Sequence, residues 1–203
     1  MKKQLIISVG REFGSGGHVI AETLAKRFDL PLYDSNILES IAQERNVDAK
    51  TLHRYDEVPR NILFSRRARE YSTSAEENIA QMQFEYLKKK ADEGESFVVV
   101  GRCSETKLAG TPGLITIFVL GDIPVKTARI MKLHNLTEKE AKNMIEKQDR
   151  QRKMYHNYYV KGKWGDSRNY DLSINSSRMG IEKTADFLES YIKERIAESV
   201  QEA

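Results

Sequence analysis

At 203 residues the chain has the length of one α/β domain, and it is long enough to bury a core without disulfides or structural metals. Its composition, 39% apolar and 31% charged, is that of a globular protein and excludes disordered, fibrous and membrane-embedded classes. The net charge is only +3, and acidic residues are interspersed among the basic ones, so we expect no generic nucleic-acid binding.

Targeting and metal-binding signals are missing from the sequence. No apolar run approaches the roughly 20 residues of a membrane-spanning helix, and the apolar stretch after Gln4 is too short for a signal peptide. The single cysteine, Cys103, excludes an internal disulfide, and the four histidines lack metal-ligand spacing. We therefore expect a cytoplasmic protein with no membrane partner and no metal site of its own, and the oligomeric state stays open.

Short apolar runs alternate with helical patterns along the chain. Residues Gln4 to Val9 predict a buried strand, and Ile20, Leu24 and Phe28 recur after it at helical spacing. Further strands are predicted at 30–33, 97–100, 114–120 and 170–174, and further helices at 37–43, 75–92, twice between 122 and 159, and at 181–198. Such crossovers imply a single α/β domain whose mostly parallel sheet is covered on both faces.

Chemistry is indicated most clearly by the glycine-rich loop, which we define as Gly10-Arg11-Glu12-Phe13-Gly14-Ser15-Gly16-Gly17-His18. Glycines between a strand and a helix let backbone N–H groups converge on a phosphate, and the helix dipole adds attraction for negative charge. The usual P-loop ends in Gly-Lys-Ser/Thr, but here Gly17 stands at the lysine position and His18 at the hydroxyl position. Arg11 and His18 are the candidates to replace the missing charge.

Two other interpretations of this loop remain open. The glycines could form only a tight strand-to-helix turn. Alternatively, the loop has part of the pattern of a dinucleotide site, in which an acidic residue binds a ribose. Two of the three glycines of that pattern are present in Gly14-x-Gly16-x-x-Val19, and Asp34 follows about 20 residues on.

Six segments together resemble the cytidylate-kinase-like family, a branch of the nucleoside monophosphate kinases. They are the glycine-rich loop, Tyr33-Asp34, Val99-Val100-Gly101-Arg102-Cys103, Asp149-x-x-Arg152, Trp164-Gly165-Asp166 and Asn169-Tyr170-Asp171-Leu172. Members of this family often have a Gly-Ser-Gly-Gly loop without the lysine. The resemblance implies a three-layer P-loop NTPase fold with a five-stranded sheet, a helical acceptor-binding arm at about 36–94 and a lid at about 145–168.

The resemblance also implies a reaction: ATP, with Mg²⁺, donates its γ-phosphoryl group to CMP, dCMP or a similar acceptor. In that reaction Arg11, His18, Arg102 and Arg152 would act on the phosphates. Nucleotide and phosphate would be bound by Gly10, Gly14, Ser15, Gly16, Gly17, His18, Asp34, Arg102, Asp149, Arg150 and Arg152, with Asp149 accepting a hydrogen bond from the cytosine amine. Arginine suits this role because its planar guanidinium holds two phosphate oxygens at once.

Less specific explanations compete at several of these positions. Asp149 and Arg152, three residues apart, could form a surface ion pair, and a solvated face is the common explanation for the run Arg66-Arg67-x-Arg69. Trp164 is interpreted as a packing anchor, and Cys103 as a packing residue beside a site. The missing lysine and hydroxyl keep open a different function, a nucleotide- or phosphate-binding regulator without transferase activity.

Overall fold

The computed structural model describes residues 4–45, 48–54, 56, 67–68, 71–72 and 75–201, with only the backbone at 44–45, 51, 67–68, 71–72 and 199–201. Its main sheet has five parallel strands in the order β2-β5-β1-β6-β7. The strands are β1 Ile6–Arg11, β2 Leu32–Tyr33, β5 Phe97–Val100, β6 Leu114–Leu120 and β7 Leu172–Asn175, and a separate antiparallel ribbon pairs β3 Arg67–Ala68 with β4 Tyr71–Ser72. The predicted α/β fold with a five-stranded sheet is confirmed.

Helices cover both faces of this sheet. They are α1 Gly17–Phe28, α2 Ile37–Arg45, α3 Ala49–His53, α4 Ala75–Asp92, α5 Ser104–Lys107, α6 Ile123–His134, α7 Glu138–Tyr159 and α8 Ile181–Gln201. On one face α1 and α8 pack against Ile7 and Val9, and on the other α2 and α4 pack against Ile6 and Val99. Alternate residues of a strand point to opposite faces, so a strand buried on both sides is continuously apolar. In the described part of the chain, no helix combines the length and apolarity needed to cross a bilayer.

The first strand is longer than its apolar run predicts. Gly10 and Arg11 belong to β1, where they lie opposite Phe118 and Val119 of β6. A Cβ at Gly10 would lie 2.8 Å from the Phe118 ring, so glycine permits the strand to continue beside that side chain. The connection between β1 and α1 is therefore shorter than the glycine-rich loop and runs from Glu12 to Gly16.

The last strand starts two residues later than predicted, at Leu172 rather than Tyr170. Asp171 explains the shift, because its Oδ2 accepts hydrogen bonds from the Thr116 amide at 2.7 Å and the Thr116 hydroxyl at 2.9 Å. A carboxylate thus occupies the position that a strand carbonyl would take.

Strand order excludes the dinucleotide alternative. In the dinucleotide-binding fold the second strand is the neighbour of the first, and its acidic residue therefore lies beside the glycine loop. Here β5 separates β1 from β2, and Asp34 follows β2 at the edge of the sheet.

Among the described residues, the segments predicted as arm and lid contain several helices and strands. The arm contains α2, α3, the ribbon and α4, although the sequence predicted no strand there. The lid falls on the second half of α7 and the loop after it. The start of α7 is fixed by a capping box, with Thr137 Oγ1 accepting from the Glu140 amide and the Glu140 carboxylate accepting from the Thr137 amide.

Candidate functional site

The connection between β1 and α1 presents free amides at the start of a helix. Gly14 and Gly16 have φ of 79° and 83°, in the left-handed region that favours glycine. The amides of Gly14, Gly16 and His18 meet no protein acceptor in the part of the chain that the structure describes. First-turn N–H groups lack intrahelical partners, and together with the helix dipole they attract anions. The geometry of the glycine-rich loop therefore suits a phosphate.

The carbonyl groups of the same connection are bound elsewhere in the protein. Ser15 Oγ donates to Glu12 O at 2.8 Å, Ser176 Oγ donates to Ser15 O at 2.5 Å, and Arg129 donates to Gly14 O. Partial burial lowers the pKa of Arg129, yet an arginine remains charged in proteins. These donors hold the carbonyls of Glu12, Gly14 and Ser15, while the neighbouring N–H groups stay available to a ligand.

Packing explains why Gly17 replaces the usual lysine. A Cβ at Gly17 would lie 2.6 Å from Arg11 Cβ and 3.2 Å from Val119 Cβ. Real Cβ atoms do not approach so closely, so any side chain at this position would displace Arg11. The loop therefore accommodates either a lysine at position 17 or the observed Arg11 packing, but not both.

Three of the four predicted catalytic residues meet at one cavity. Arg11, Arg102 and Arg152 line a space of about 20 Å³ beside Gly10, at the carboxyl ends of β1 and β5. Ligands of open α/β sheets bind at this edge. The cavity has room for about one water molecule, so the three arginine side chains lie close together around it.

Arg102 is the most buried of these arginines. It is 3% exposed, and its Nη2 donates to Asp56 Oδ2 at 2.9 Å. Asp56 Oδ1 also accepts from Gln83 Nε2 of α4 at 3.0 Å. This ion pair ties the end of β5 to the predicted acceptor arm.

Arg152 and Asp149 attach α7 to the glycine-rich loop. Arg152 Nη1 donates to Arg11 O at 3.3 Å, and the guanidinium lies 5.5 Å from the centre of the Phe13 ring. Asp149 Oδ1 accepts from the Phe13 amide at 2.6 Å, and its Oδ2 accepts from Lys126 Nζ at 2.8 Å. Both carboxylate oxygens thus have protein partners other than Arg152, so Asp149 does not form the ion pair that its spacing from Arg152 allowed. The cytosine contact that the resemblance implies for Asp149 stays a prediction.

His18 lies apart from the arginine cavity, on the exposed side of α1. Its Nε2 is 2.8 Å from Asp34 Oδ2, and its Nδ1 is 3.6 Å from Glu22 Oε1. Partial burial acts against ionisation of Asp34, but hydrogen bonds from the Asn36 amide and from His18 outweigh it and hold the pKa of this carboxyl below its ordinary value. The pair adds a carboxylate beside the start of α1.

The family model described as "Cytidylate kinase-like family" matches residues 6–178. The chain belongs to this family. A curated relative, the cytidylate kinase of Methanocaldococcus jannaschii, is 26% identical over 192 residues, which cover 93% of this chain and 97% of that protein.

Solved structures agree with the fold of the cytidylate kinase-like family. An uncharacterized protein from Eubacterium ventriosum is 38% identical and superposes with a TM-score of 0.75. The match spans 94% of this chain and 99% of that protein. A gluconokinase from Sinorhizobium meliloti is 12% identical, with a TM-score of 0.57 over 100% of this chain and 99% of that one. A shikimate kinase from Bacteroides thetaiotaomicron is 13% identical, with a TM-score of 0.55 over 93% of this chain and 98% of that one. Both share the P-loop α/β fold alone.

A buried acid–histidine pair in this cytidylate kinase-like chain was missed by the sequence analysis. Glu105 Oε1 and His156 Nε2 are 2.8 Å apart, with both side chains at most 5% exposed, and both residues line the arginine cavity. Glu105 lies in α5, a single turn too short to give a periodic pattern. Fifty-one positions separate the partners, so no local signal could have paired them.

The remaining predicted residues lie in three kinds of place: on the exposed surface, beside this cavity, or outside the described part of the chain. Arg150 is exposed and bonds Glu146 at 2.6 Å. Trp164 packs edge-on against Phe118 with ring centres 5.5 Å apart, as expected of an anchor, and Cys103 is buried. Arg66 and Arg69 lie outside the described residues, and Arg67 is described only by its backbone.

Kinases of this fold use Mg²⁺ brought in with the nucleotide, and the residues present fit that arrangement. No group of three potential metal ligands occurs within the described ranges. Mg²⁺ is commonly held by one or two carboxylates together with phosphate oxygens and water. Asp34, half-buried beside the first turn of α1, offers one such carboxylate.

Proposed function

We propose that the protein is a kinase that transfers the γ-phosphoryl group of ATP to CMP, dCMP or a similar phosphate-bearing acceptor. The observation that carries this proposal is the meeting of Arg11, Arg102 and Arg152 at the sheet edge where the glycine-rich loop, with its free amides, begins. Membership of the cytidylate kinase-like family and the name of the Methanocaldococcus jannaschii relative support a nucleotide acceptor.

In the proposed reaction an oxygen of the acceptor phosphate attacks the γ-phosphorus of ATP. The bond from that phosphorus to the β–γ bridging oxygen breaks, and ADP leaves with the bonding electrons. Phosphoryl transfer requires little covalent chemistry from the protein, so positioning and charge stabilisation supply the rate. Mg²⁺ brought in with ATP would be held by Asp34 together with phosphate oxygens and water, and it would neutralise charge that develops on the phosphates.

Each basic residue has a distinct place in this proposal. The amides of Gly14, Gly16 and His18 hold ATP phosphate oxygens, and Arg102 holds the acceptor phosphate at the end of β5. Arg11 and Arg152, joined through the Arg11 carbonyl, lie between the two and face the transferred group. Five N–H donors in a rigid plane let each guanidinium bind two oxygens.

The small size of the cavity gives the arm and lid a role in this proposal. A space of about 20 Å³ is too small for a nucleotide, so in this proposal movement of the arm (about 36–94) or the lid (about 145–168) admits the acceptor. Closure afterwards excludes water that would otherwise hydrolyse ATP. The Asp56–Arg102 ion pair is one contact on the arm side that such a movement would break.

A second function is favoured by the departures at the glycine-rich loop. Gly17 and His18 replace the lysine and hydroxyl that a P-loop normally aims at the phosphates and the metal. A protein that binds nucleotide without transferring phosphate would keep the amides and lose these groups. This regulator is the alternative against which the kinase is tested.

Turnover and binding measured together separate the two functions. The protein is incubated with MgATP and each nucleoside monophosphate in turn, products are identified by chromatography, and the melting temperature is recorded with every nucleotide. The kinase proposal expects ADP and CDP in equal amounts. A nucleotide-induced rise in melting temperature without product for any acceptor favours the regulator. If no nucleotide raises the melting temperature and no product forms, both functions are contradicted.

A further inference from the structure

Lys126 is a buried lysine beneath the glycine-rich loop. It is 1% exposed and lies in the first turns of α6. Two glycines make room for it: a Cβ at Gly14 would lie 3.3 Å from Lys126 Cβ, and a Cβ at Gly121 would lie 3.2 Å from its Cγ. Lysine is rarely buried unless it is paired, so its ammonium group must have strong partners.

The ammonium group forms ion pairs with two carboxylates from different parts of the fold. Lys126 Nζ lies 2.8 Å from Asp149 Oδ2 of α7 and 3.1 Å from Glu12 Oε2 of the connection after β1. Each carboxylate also accepts a backbone N–H, from Phe13 to Asp149 at 2.6 Å and from Gly121 to Glu12 at 3.1 Å. The lysine thus holds together the loop, the start of α6 and the middle of α7.

We propose that Lys126 is a positioning residue for the phosphoryl transfer proposed above, on which the kinetic part of this inference rests. By holding Asp149 against the Phe13 amide, it places α7 so that Arg152, one turn further along, reaches the Arg11 carbonyl and the cavity. The ammonium group missing from position 17 is therefore present beneath the loop, where it fixes the backbone instead of touching phosphate.

Charge gives Lys126 an effect beyond packing. One ammonium between two carboxylates leaves this group of three with one excess negative charge, which Arg129 at the Gly14 carbonyl partly offsets. Removing the lysine adds a second, which repels an incoming phosphate and also separates Asp149 from Glu12. Loss of Lys126 should therefore weaken ATP binding and release α7 from the loop together.

Hydrogen exchange tests the structural part of this inference without reference to activity. We expect Lys126→Met to increase exchange about tenfold at the Phe13 amide and in α7 around Asp149, the loss of roughly one hydrogen bond, with α8 unchanged. The matched control is Lys132→Met, an exposed lysine of the same helix. Equal exchange in the two variants, or a uniform increase throughout the chain, overturns the inference.

Kinetics test the functional part. We expect Lys126→Met to lower kcat about 100-fold, the cost of a misplaced catalytic group, and to raise the KM for ATP, whereas Lys126→Arg keeps most activity because it retains the charge. Should Lys126→Met not fold, Asp149→Asn serves instead, since the amide oxygen still accepts from Phe13 while the charge is lost. Unchanged kinetics in these variants overturn the inference. If the wild-type protein is inactive but Lys126→Met shows the expected local increase in exchange, only the proposed kinase is contradicted.

Discussion

Arg102 has φ of 61° at the end of β5, a conformation that non-glycine residues adopt only when their surroundings hold it there. Its ion pair with Asp56 and its burial supply that restraint. The side chain is consequently fixed in place before any ligand arrives, and a fixed donor loses little entropy on binding phosphate.

Substitution of Arg102 should affect transfer far more than folding of the sheet. We expect Arg102→Met to lower kcat/KM for the acceptor about 100- to 1,000-fold, the cost of one charge-stabilising donor, and Arg102→Lys to recover only part because lysine cannot bind two oxygens in one plane. Lys193→Ala, an exposed position on α8, is the control. Steady-state kinetics with CMP measure the effect, and near-normal turnover by Arg102→Met would refute the assignment.

Asp34 makes the stability of the protein depend on pH in a defined direction. Its pKa in the folded state lies below the ordinary value, chiefly because the Asn36 amide and His18 outweigh the opposing effect of burial. Such a group stabilises the fold fully above the unfolded-state pKa of about 3.9, and the contribution is lost as the pH falls through the folded-state value.

Melting curves of the wild type and Asp34→Asn should therefore converge in acid. The wild type is expected to melt higher from neutral pH down to about pH 4, with the difference shrinking below that. Asp92→Asn, at an exposed position of α4, controls for the general loss of a charge. A difference that stays constant or grows in acid would show that the Asp34 interactions are not charge-dependent.

The connection from β1 to α1 depends on the absence of a side chain at Gly17. The Cβ of Gly17→Ala would overlap Arg11 Cβ at 2.6 Å, and overpacking of this kind costs about 1–3 kcal/mol. The same argument predicts that Gly17→Lys does not create a working P-loop lysine.

A double-mutant cycle measures this steric coupling. Arg11→Gly removes the atom that Gly17→Ala would strike, so the double variant should be more stable than the sum of the two single changes predicts, by about 1 kcal/mol or more. Chemical denaturation gives the four free energies of unfolding. Additive values would mean that Arg11 does not exclude a side chain at position 17.

Elements with strong local patterns were predictable, whereas their ends and pairings were not. The strand Phe97–Val100 and the helix Ala75–Asp92 have the predicted bounds, because apolar periodicity and flanking glycines define them locally. The extension of β1 to Arg11 depends on β6, which lies more than a hundred positions away. One sequence signal could have indicated that Lys126 is buried: it lies on the same helical face as Ile130, four residues further on, which is also buried.

At the scale of the whole molecule, the site lies where three parts of the fold meet. The sheet edge supplies Arg11 and Arg102, α1 supplies amides, and α7 supplies Arg152 through contacts with the loop. Short motifs in the sequence predicted the individual residues of this proposed site. The sequence could not indicate that Asp149 binds Phe13 and Lys126, because that arrangement follows from how α6 and α7 pack.

Calorimetric titration with a bisubstrate analogue, in which adenosine and cytidine are joined through a chain of phosphates, tests most directly whether the loop amides and the arginines form one transfer site. We predict one molecule bound per chain, about 100-fold more tightly than ATP because the second half binds intramolecularly, with most of this gain lost in Arg102→Met. An analogue bound no more tightly than ATP, or equally well by Arg102→Met, would contradict the proposed site.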